Sequence, residues 1–596
     1  MDEPAVVPRR AGLLVLPRSR SWERDRGVRA RTSPRAVAVG SAVLAVAVRV
    51  VGLDAWGLWH DEALEVGRAA APWAVLLTGR AIDQDPPLLA VLYRGWTAWG
   101  GGDGWLRLPS VLLGAAAAAV LGAWAVRRFG GRVGAAAGLG MAVGPAMVHY
   151  GQEVNQYAAM LFLAVVGWVA WDGVATRGRA VDWRRWTVAA CAGLATHYGM
   201  VFPLAAMSGW LAWRALRLPR GRTGRGEVDV RALARHMAAC GATVGVLMGL
   251  GLAERVTVPH LQGRFGGTHA VKEADYLVDV VWRQVLVFLA LPFGGGPALM
   301  GVWALALVAG VGAVSLWRAG GAGRRAVVAG VGALALVYPF DGLGWYPLGQ
   351  RWGLFAAPPA CLALAAGVER LGRGTRGLWA LLIGGLVVNA VMFWPQADAW
   401  NPWLAVPRED VRGVVSDLAA VWRPGDRVWV YPAAWPVFDH YWEGRPAAVL
   451  RRDDATRWWA GDAAVDAPCG AQAGARWMVL SRVEGEDEAV LVREVERGGW
   501  RVVERIDRVG AALLRLTCEP PPSSDRNRGV EHHSTPPPAA HEPVSASGPH
   551  PPTPSPKTAG GGGASRGSGG CLVGCRGPMS LSQHWERGRL SAAQPG

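Results

Sequence analysis

Long apolar runs, each closed by a short arginine cluster, repeat along the chain from residue 36 to residue 394. Runs of about 18 or more apolar residues are long enough to cross a bilayer as helices. The first, 36–53, follows a leader (1–35) with nine arginines and no apolar stretch of signal-peptide quality. Basic loops stay on the cytoplasmic side. The leader is therefore expected to be disordered and cytoplasmic, and the first helix to run outward, with Arg49 snorkelling to the headgroups near its outer end. Arg127, Arg128 and Arg132 form the next cluster. Between an exterior loop at Asp61 and that cluster the chain must cross an odd number of times. The run 106–126 is long enough to span and 86–99 is not, so 86–99 is expected to lie on the outer surface, with 63–77 as a second interfacial helix.

From there the runs alternate. Segment 133–148 goes out and 158–174 comes back. The stretch 186–216 forms a hairpin turning near Thr196-His197-Tyr198, and 236–253 goes out again. Segment 278–293, interrupted by Arg283, reads as a surface or re-entrant helix. The runs 298–317, 326–340, 352–368 and 377–394 complete about eleven spans, with the N-terminus inside and the C-terminus outside. After Pro395 the pattern turns soluble. A helix at 409–421, strands at 427–431, 476–481, 500–505 and 511–517, and a charged helix at 487–497 predict an extracytoplasmic α/β domain over 395–518. The Pro, Ser and Gly-rich remainder, 519–596, is expected to be disordered. The fold class is thus a polytopic α-helical membrane protein with interfacial helices and a small C-terminal α/β domain, built as 1–35, 36–394, 395–518 and 519–596.

Composition changes this picture little. The chain is 51% hydrophobic and 18% charged, with a formal net charge of +16. In a soluble protein that charge would suggest nucleic acid. Here the arginines fall between apolar runs, so topology accounts for them and no nucleic-acid partner is expected. Of seven cysteines, Cys191, Cys240 and Cys361 lie inside apolar runs as small core residues. Cys469 and Cys518 could pair if their domain faces an oxidising compartment. Cys571 and Cys575 sit in the Gly/Ser-rich tail.

Carboxylates are costly beside hydrocarbon, so acids gathered at one membrane face point to chemistry. Asp61, Glu62, Asp83, Asp85 and Glu153 all fall on the exterior face of this scheme. Glu65 and Asp103 read as ordinary loop polarity. In Asp83-Gln84-Asp85-Pro86-Pro87 an acid either caps the following helix or joins Asp61 and Glu153 in holding a divalent cation, magnesium or manganese, or the acceptor. Gln152 and Glu153 sit at the mouth of two helices facing the Asp61 loop, and His197 and Tyr198 at an exterior turn. Arg351 places a guanidinium where it either anchors a helix or binds an anionic phosphate.

These residues carry a resemblance. Leu58-Trp59-His60-Asp61-Glu62 is similar to the "LWYDE" signature of GT-C superfamily glycosyltransferases that use polyprenyl-phosphate donors. The protein O-mannosyltransferase-like and lipid A aminoarabinose-transferase-like enzymes of bacteria belong there. Asp83-Gln84-Asp85-Pro86-Pro87-Leu88 resembles "D-x-H-P-P-L", and Leu106-Arg107-Leu108-Pro109-Ser110 contains "RLPS". Tyr150 to Tyr157 resembles "YSQEARMY", Thr196-His197-Tyr198 is "THY", and Arg351-Trp352 with Ala357-Pro358-Pro359 resembles "RYLLPALPP". The chain departs at Asp85 (His or Lys in the family), Gly151 (Ser) and Asn155 (Arg or a similar residue).

The resemblance implies a bacterial plasma-membrane enzyme that moves a sugar from a polyprenyl-phosphate donor to an envelope acceptor at the extracytoplasmic face, with inversion. Asp61 would act as base, Glu62, Asp85 and Glu153 would orient acceptor or metal, and Arg351 would stabilise the leaving phosphate. A transporter and a catalytically inactive polyprenyl-phosphate-binding scaffold are the competing classes.

Overall fold

The computed structural model describes residues 32–78, 86–217, 228–252, 299–342, 346, 353–371, 376–377, 380, 383–384, 409–442, 444–452, 458–460, 463–464, 476–481, 483 and 487–518. Residues 1–31 of the leader, the helix expected at 278–293, most of the span expected at 377–394 and the tail lie outside them, as do Asp83, Asp85 and Arg351.

Helix α1 (Pro34–Val50) starts at Ser33, whose hydroxyl accepts from the Arg35 amide at 3.2 Å, with Pro34 as its first residue. Both are favourable helix-start choices. The two stretches expected to lie on the outer surface form short helices: α2 (His60–Ala70) with α3 (Trp73–Thr78), then α4 (Leu88–Thr97). Helix α5 (Asp103–Phe129) is 27 residues long and contains Pro109. Proline has no amide to offer the carbonyl of Trp105 four residues back. That carbonyl accepts instead from the Trp96 indole at 2.9 Å, and the two indoles stack at 4.5 Å, which fixes α4 against α5.

The run expected as one span at 133–148 is broken into α6 (Gly131–Val143) and α7 (Pro145–His149) at Gly144-Pro145. Here the structure corrects the expectation for Arg49. Its side chain does not reach the headgroups: it is fully buried and donates to the carbonyls of Met141, Ala142 and Met147 at 3.1, 2.8 and 2.9 Å, and to Ala45 at 3.0 Å. The helix break strips carbonyls of their partners, and a guanidinium with five donors replaces them.

Helices α8 (Gln156–Arg177), α9 (Ala180–Leu194), α10 (Val201–Arg217) and α11 (Val230–Leu247) follow, then α12 (Leu299–Ala319), α13 (Gly321–Gly342) and α14 (Ala357–Arg370). The hairpin α9–α10 turns at Thr196-His197-Tyr198 as expected. Among the described residues three helices, Asp103–Phe129, Gln156–Arg177 and Val230–Leu250, are long and apolar enough to cross a membrane. Burial ranks them: 78% of the apolar window of α8 is inside, against 17% for the third, so α8 is central and α11 peripheral.

Close helix contacts rest on small residues, as is usual without a hydrophobic drive between helices. At the crossing of α12 and α14, a Cβ on Gly312 would stand 1.7 Å from the Ala363 carbonyl oxygen, and one on Gly367 1.9 Å from that of Val308. At the arginine-rich end of the bundle, buried Asp172 of α8 accepts from Trp124 at 3.1 Å and Arg325 at 2.8 Å and pairs with Arg128. One carboxylate thereby ties α5, α8 and α13 together.

The C-terminal domain is a three-layer α/β unit. Its mixed sheet has the order β4-β3-β2-β1-β5-β7-β6, from β1 (Arg427–Val430), β2 (Ala448–Arg452), β3 (Trp458–Ala460), β4 (Ala463–Ala464), β5 (Arg476–Ser481), β6 (Trp500–Arg508) and β7 (Ala511–Cys518). Strand β1 is parallel to β2 and β5, and the other pairings are antiparallel. Alternation sends Val428, Val430, Trp477 and Val479 to one face, against α15 (Val411–Val421) and α16 (Trp435–Tyr441). Trp429, Met478 and Leu480 go to the other, against α17 (Asp487–Arg497). Strands β2, β3 and β4 and helix α16 were not anticipated from the sequence. Cys518 is half of a disulfide whose other half lies outside the described residues.

Gly312→Ala is expected to destabilise the bundle by about 1–3 kcal/mol or more, because backbone cannot yield as a side chain can. Gly310→Ala, with nothing within 4 Å of its new methyl group, should leave the melting temperature of the detergent-solubilised protein unchanged.

Candidate functional site

The site is built around the first turn of α2. Trp59 is its N-cap, and Glu62, three residues on, reaches back to the Trp59 amide at 3.1 Å. This is one arm of a capping box. The same carboxylate is fully buried and does more. Its Oε1 accepts from Arg107 Nε at 2.8 Å and from the Val154 amide at 2.9 Å, and its Oε2 from Arg107 Nη2 at 2.6 Å. Arg107, on the first turns of α5, has no donor to spare. It also donates to the carbonyls of Leu53 and Trp56 at 2.8 Å and of Gly57 at 2.9 Å. The planar fork of an arginine suits this two-point pairing. The loop after α1, the start of α2, α5 and the loop before α8 thus meet on one ion pair.

That last loop is clipped on its other side too. The Gln152 amide donates to the carbonyls of Arg49 and Val51, both at 3.0 Å, satisfying the end of α1. Glu153 is buried and pairs with His149 at 3.0 Å. Aromatic rings continue from there: His149 to Tyr150 at 4.8 Å, Tyr150 to Tyr157 at 5.0 Å, and Tyr157 to His197 at 5.7 Å. His197 Nδ1 accepts from the Gly199 amide at 3.0 Å and its ring meets Tyr346 edge-on.

The C-terminal domain packs directly on this assembly. Tyr441 accepts from the Leu58 amide at 2.7 Å and donates to Asp103 at 2.7 Å. Burial, and next the Asp103 carboxylate, push the Tyr441 phenol well above its usual range, so it stays a donor. Arg412 reaches Asp103 at 2.9 Å, and His60 Nδ1 lies 2.8 Å from the Ala433 carbonyl. Ala63 of α2 belongs to the apolar core of the domain. Asp103 and Glu65 are consequently not ordinary loop polarity: both are buried. Between the two parts lies a hollow of about 10 Å³, lined by Trp56, Gly57, Trp59, Glu62, Arg107, Gln152, Glu153 and Glu409. That is room for about one water.

The structure therefore brings Glu62, Gln152 and Glu153 together. Asp61 stands beside Glu62 on the first turn of α2, half-buried and outside the clasp with Arg107. His197 joins through the ring chain, while Tyr198 is half-buried at the same turn. Asp83, Asp85 and Arg351 lie outside the described residues. Among those described, no three His, Cys, Asp or Glu side chains group so as to hold a metal ion. Sequence reasoning missed His149, Arg107 as the partner of Glu62, and Glu409. The i,i+4 spacing of His149 and Glu153 is legible in the sequence, and Arg107 is the arginine of the "RLPS" stretch. Nothing in sequence flags Glu409.

No family model matches the chain, and no curated protein matches it. Solved structures do. ArnT from Cupriavidus metallidurans bound to undecaprenyl phosphate is similar at 12% identity and a TM-score of 0.49, over 80% of this chain and 97% of that one. The protein O-mannosyltransferase Pmt1-Pmt2 complex of S. cerevisiae, bound to the sugar donor, is similar at 17% identity and a TM-score of 0.28, over 37% of this chain and 33% of that one. The oligosaccharyltransferase of Archaeoglobus fulgidus follows at 12% identity and a TM-score of 0.38, over 69% and 62%.

Glu62→Gln leaves the Arg107 charge buried without its counter-ion. It is expected to cost about 3–5 kcal/mol, whereas Asp61→Asn, outside that pair, should cost under about 1 kcal/mol. Thermal melts of the two variants in the same detergent compare them directly.

Proposed function

We propose that this chain is a GT-C-type membrane glycosyltransferase. It takes a sugar from a polyprenyl-phosphate donor and transfers it to an envelope acceptor on the extracytoplasmic face, with inversion. The observation that supports this most is convergence. Three sequence stretches that resemble family motifs, around Asp61-Glu62, Arg107 and Gln152-Glu153, are far apart in the chain yet share one ion pair. A membrane location agrees with the apolar helices, and an oxidising exterior for the C-terminal domain agrees with the Cys518 disulfide.

In this reading an acceptor hydroxyl oxygen attacks the anomeric carbon of the donor sugar. The carbon–oxygen bond to phosphate breaks, and polyprenyl phosphate leaves with the electron pair. Asp61 takes the hydroxyl proton as general base. Glu62 works through its clasp: by fixing Arg107, Trp59 and Val154 it holds the turn that presents Asp61. Glu153, steadied by His149, orients the acceptor. Asp83, Asp85 and Arg351 are proposed to serve acceptor and phosphate, and Asp61, Asp85 and Glu153 are the residues that would hold magnesium or manganese. Membrane lipids hold the donor and the site in one plane, which supplies proximity.

Asp61→Asn in nanodiscs, given a panel of radiolabelled polyprenyl-phosphate sugars and envelope glycans, is expected to lose transfer by roughly 10²- to 10⁴-fold while binding donor normally. Equal transfer by the variant would remove Asp61 as base. Donor binding without turnover in the wild type would favour the inactive scaffold.

A further inference from the structure

Four arginines are buried among the described residues: Arg49, Arg68, Arg107 and Arg325. Three of them are engaged at short range. Arg49 holds four carbonyls at 2.8 to 3.1 Å. Arg107 holds the Glu62 carboxylate and three carbonyls at 2.6 to 2.9 Å. Arg325 holds Asp172 through both Nε, at 2.8 Å, and Nη2. Arg68 is the exception. It is 1% exposed, yet Nε and Nη2 share the single carbonyl of Leu76 at 3.4 and 3.3 Å, and Nη1 has no partner among the described residues. No ion pair joins it to Glu65, which is buried one turn earlier on α2.

A buried charge without a counter-ion is costly, and the local fold does not call for one here. The carbonyls at the end of α2, on Ala69 and Ala71, are taken by Arg94 of α4, which also lies 4.6 Å from the centre of the Trp73 ring. A cation in a last turn suits the helix dipole, but it does so from the surface as well as from inside. Arg68 is thus a buried guanidinium with donors to offer, the group best fitted to an anion. Its place on α2 points to which anion. Residues seven apart on a helix lie within about 20° of each other around the axis, so Arg68 shares a stripe with Asp61, and Glu65 stands between them. Seven residues span about 10 Å. An in-line displacement needs a separation of that order: base and acceptor oxygen lie on one side of the anomeric carbon, and the leaving phosphate on the other.

We propose that Arg68 binds the phosphate of the polyprenyl-phosphate donor and stays with it as it leaves. When the bond between the anomeric carbon and the phosphate oxygen breaks, the electron pair passes to that oxygen and the phosphate gains negative charge. The acceptor proton goes to Asp61. A guanidinium already in place stabilises the charge that develops. The inference rests on the glycosyltransferase reading above and adds a phosphate ligand to it.

The test uses the full chain in phosphatidylcholine nanodiscs, with radiolabelled polyprenyl phosphate, which carries no sugar, as the probe. Arg68→Gln is expected to weaken its binding roughly tenfold or more, and Arg68→Lys, which keeps the charge, to recover part of that loss. Without the probe, Arg68→Gln is expected to melt no lower than the wild type, because it removes an unpaired buried charge. With the probe, the wild type and Arg68→Lys are expected to gain melting temperature and Arg68→Gln is not. Unchanged affinity in Arg68→Gln would overturn the proposal. So would a clear fall in its melting temperature without the probe, which marks a merely structural role. Displacement of the probe by phosphatidylglycerol as readily as by unlabelled polyprenyl phosphate would overturn it too, since the site would then serve any lipid phosphate. Arg68-dependent binding in a wild type that transfers sugar from no donor would uphold the phosphate site and sink the transfer reading alone.

Discussion

The Glu62–Arg107 pair is the constraint on which the site depends. A buried ion pair contributes little net stability when its desolvation is counted, but removing one partner is severe. What this pair supplies is a fixed relation between segments. Arginine has five donors and Glu62 has two oxygens, and between them they engage backbone at Leu53, Trp56, Gly57, Trp59 and Val154. Irregular backbone near a bilayer needs such partners, since lipid offers none. The pair therefore lets non-helical chain exist at the rim of a helical bundle.

A second layer fastens the first to the C-terminal domain. Asp103 accepts from Tyr441 and Arg412 and stands four residues before Arg107 on α5. The domain and the clasp are thus braced by the same turn of helix. This arrangement packs the apolar helices and the α/β domain into one unit, although their compositions are those of two different solvents.

Legibility in the sequence followed physical cause. Apolar runs long enough for helices declared themselves, and the hairpin around His197 and the helix at Asp487–Arg497 stand where periodicity put them. Strands β5 and β7 were also visible, because full burial demands continuous apolar residues. Strands β2, β3 and β4 were not, being only 5, 3 and 2 residues long, too short for an alternation to show. Charged residues were the hardest to place. Arg49 was expected at the headgroups because a lone arginine in an apolar run ordinarily escapes outward. The carbonyls that hold it inside come from a helix break 92 to 98 residues later in the chain. Asp172 was likewise hidden inside an apolar run, and its partners Arg128 and Arg325 read as mere markers of sidedness. Of the site, the acids and the glutamine were legible as types. Their partners were not, because a single sequence does not announce which arginine meets which glutamate.

The burial of Arg49 also bears on biogenesis. Arg49 stands in the last turn of α1, and its compensating carbonyls on Met141, Ala142 and Met147 belong to a later-synthesised segment. A methyl group on Gly151 would stand 2.4 Å from Arg49 Nε, so that segment must close over the guanidinium without a side chain in the way. The end of α1 thus gains its three long-range partners only once α6 and α7 have been made, which couples the first helix to a segment 92 to 98 residues further along the chain.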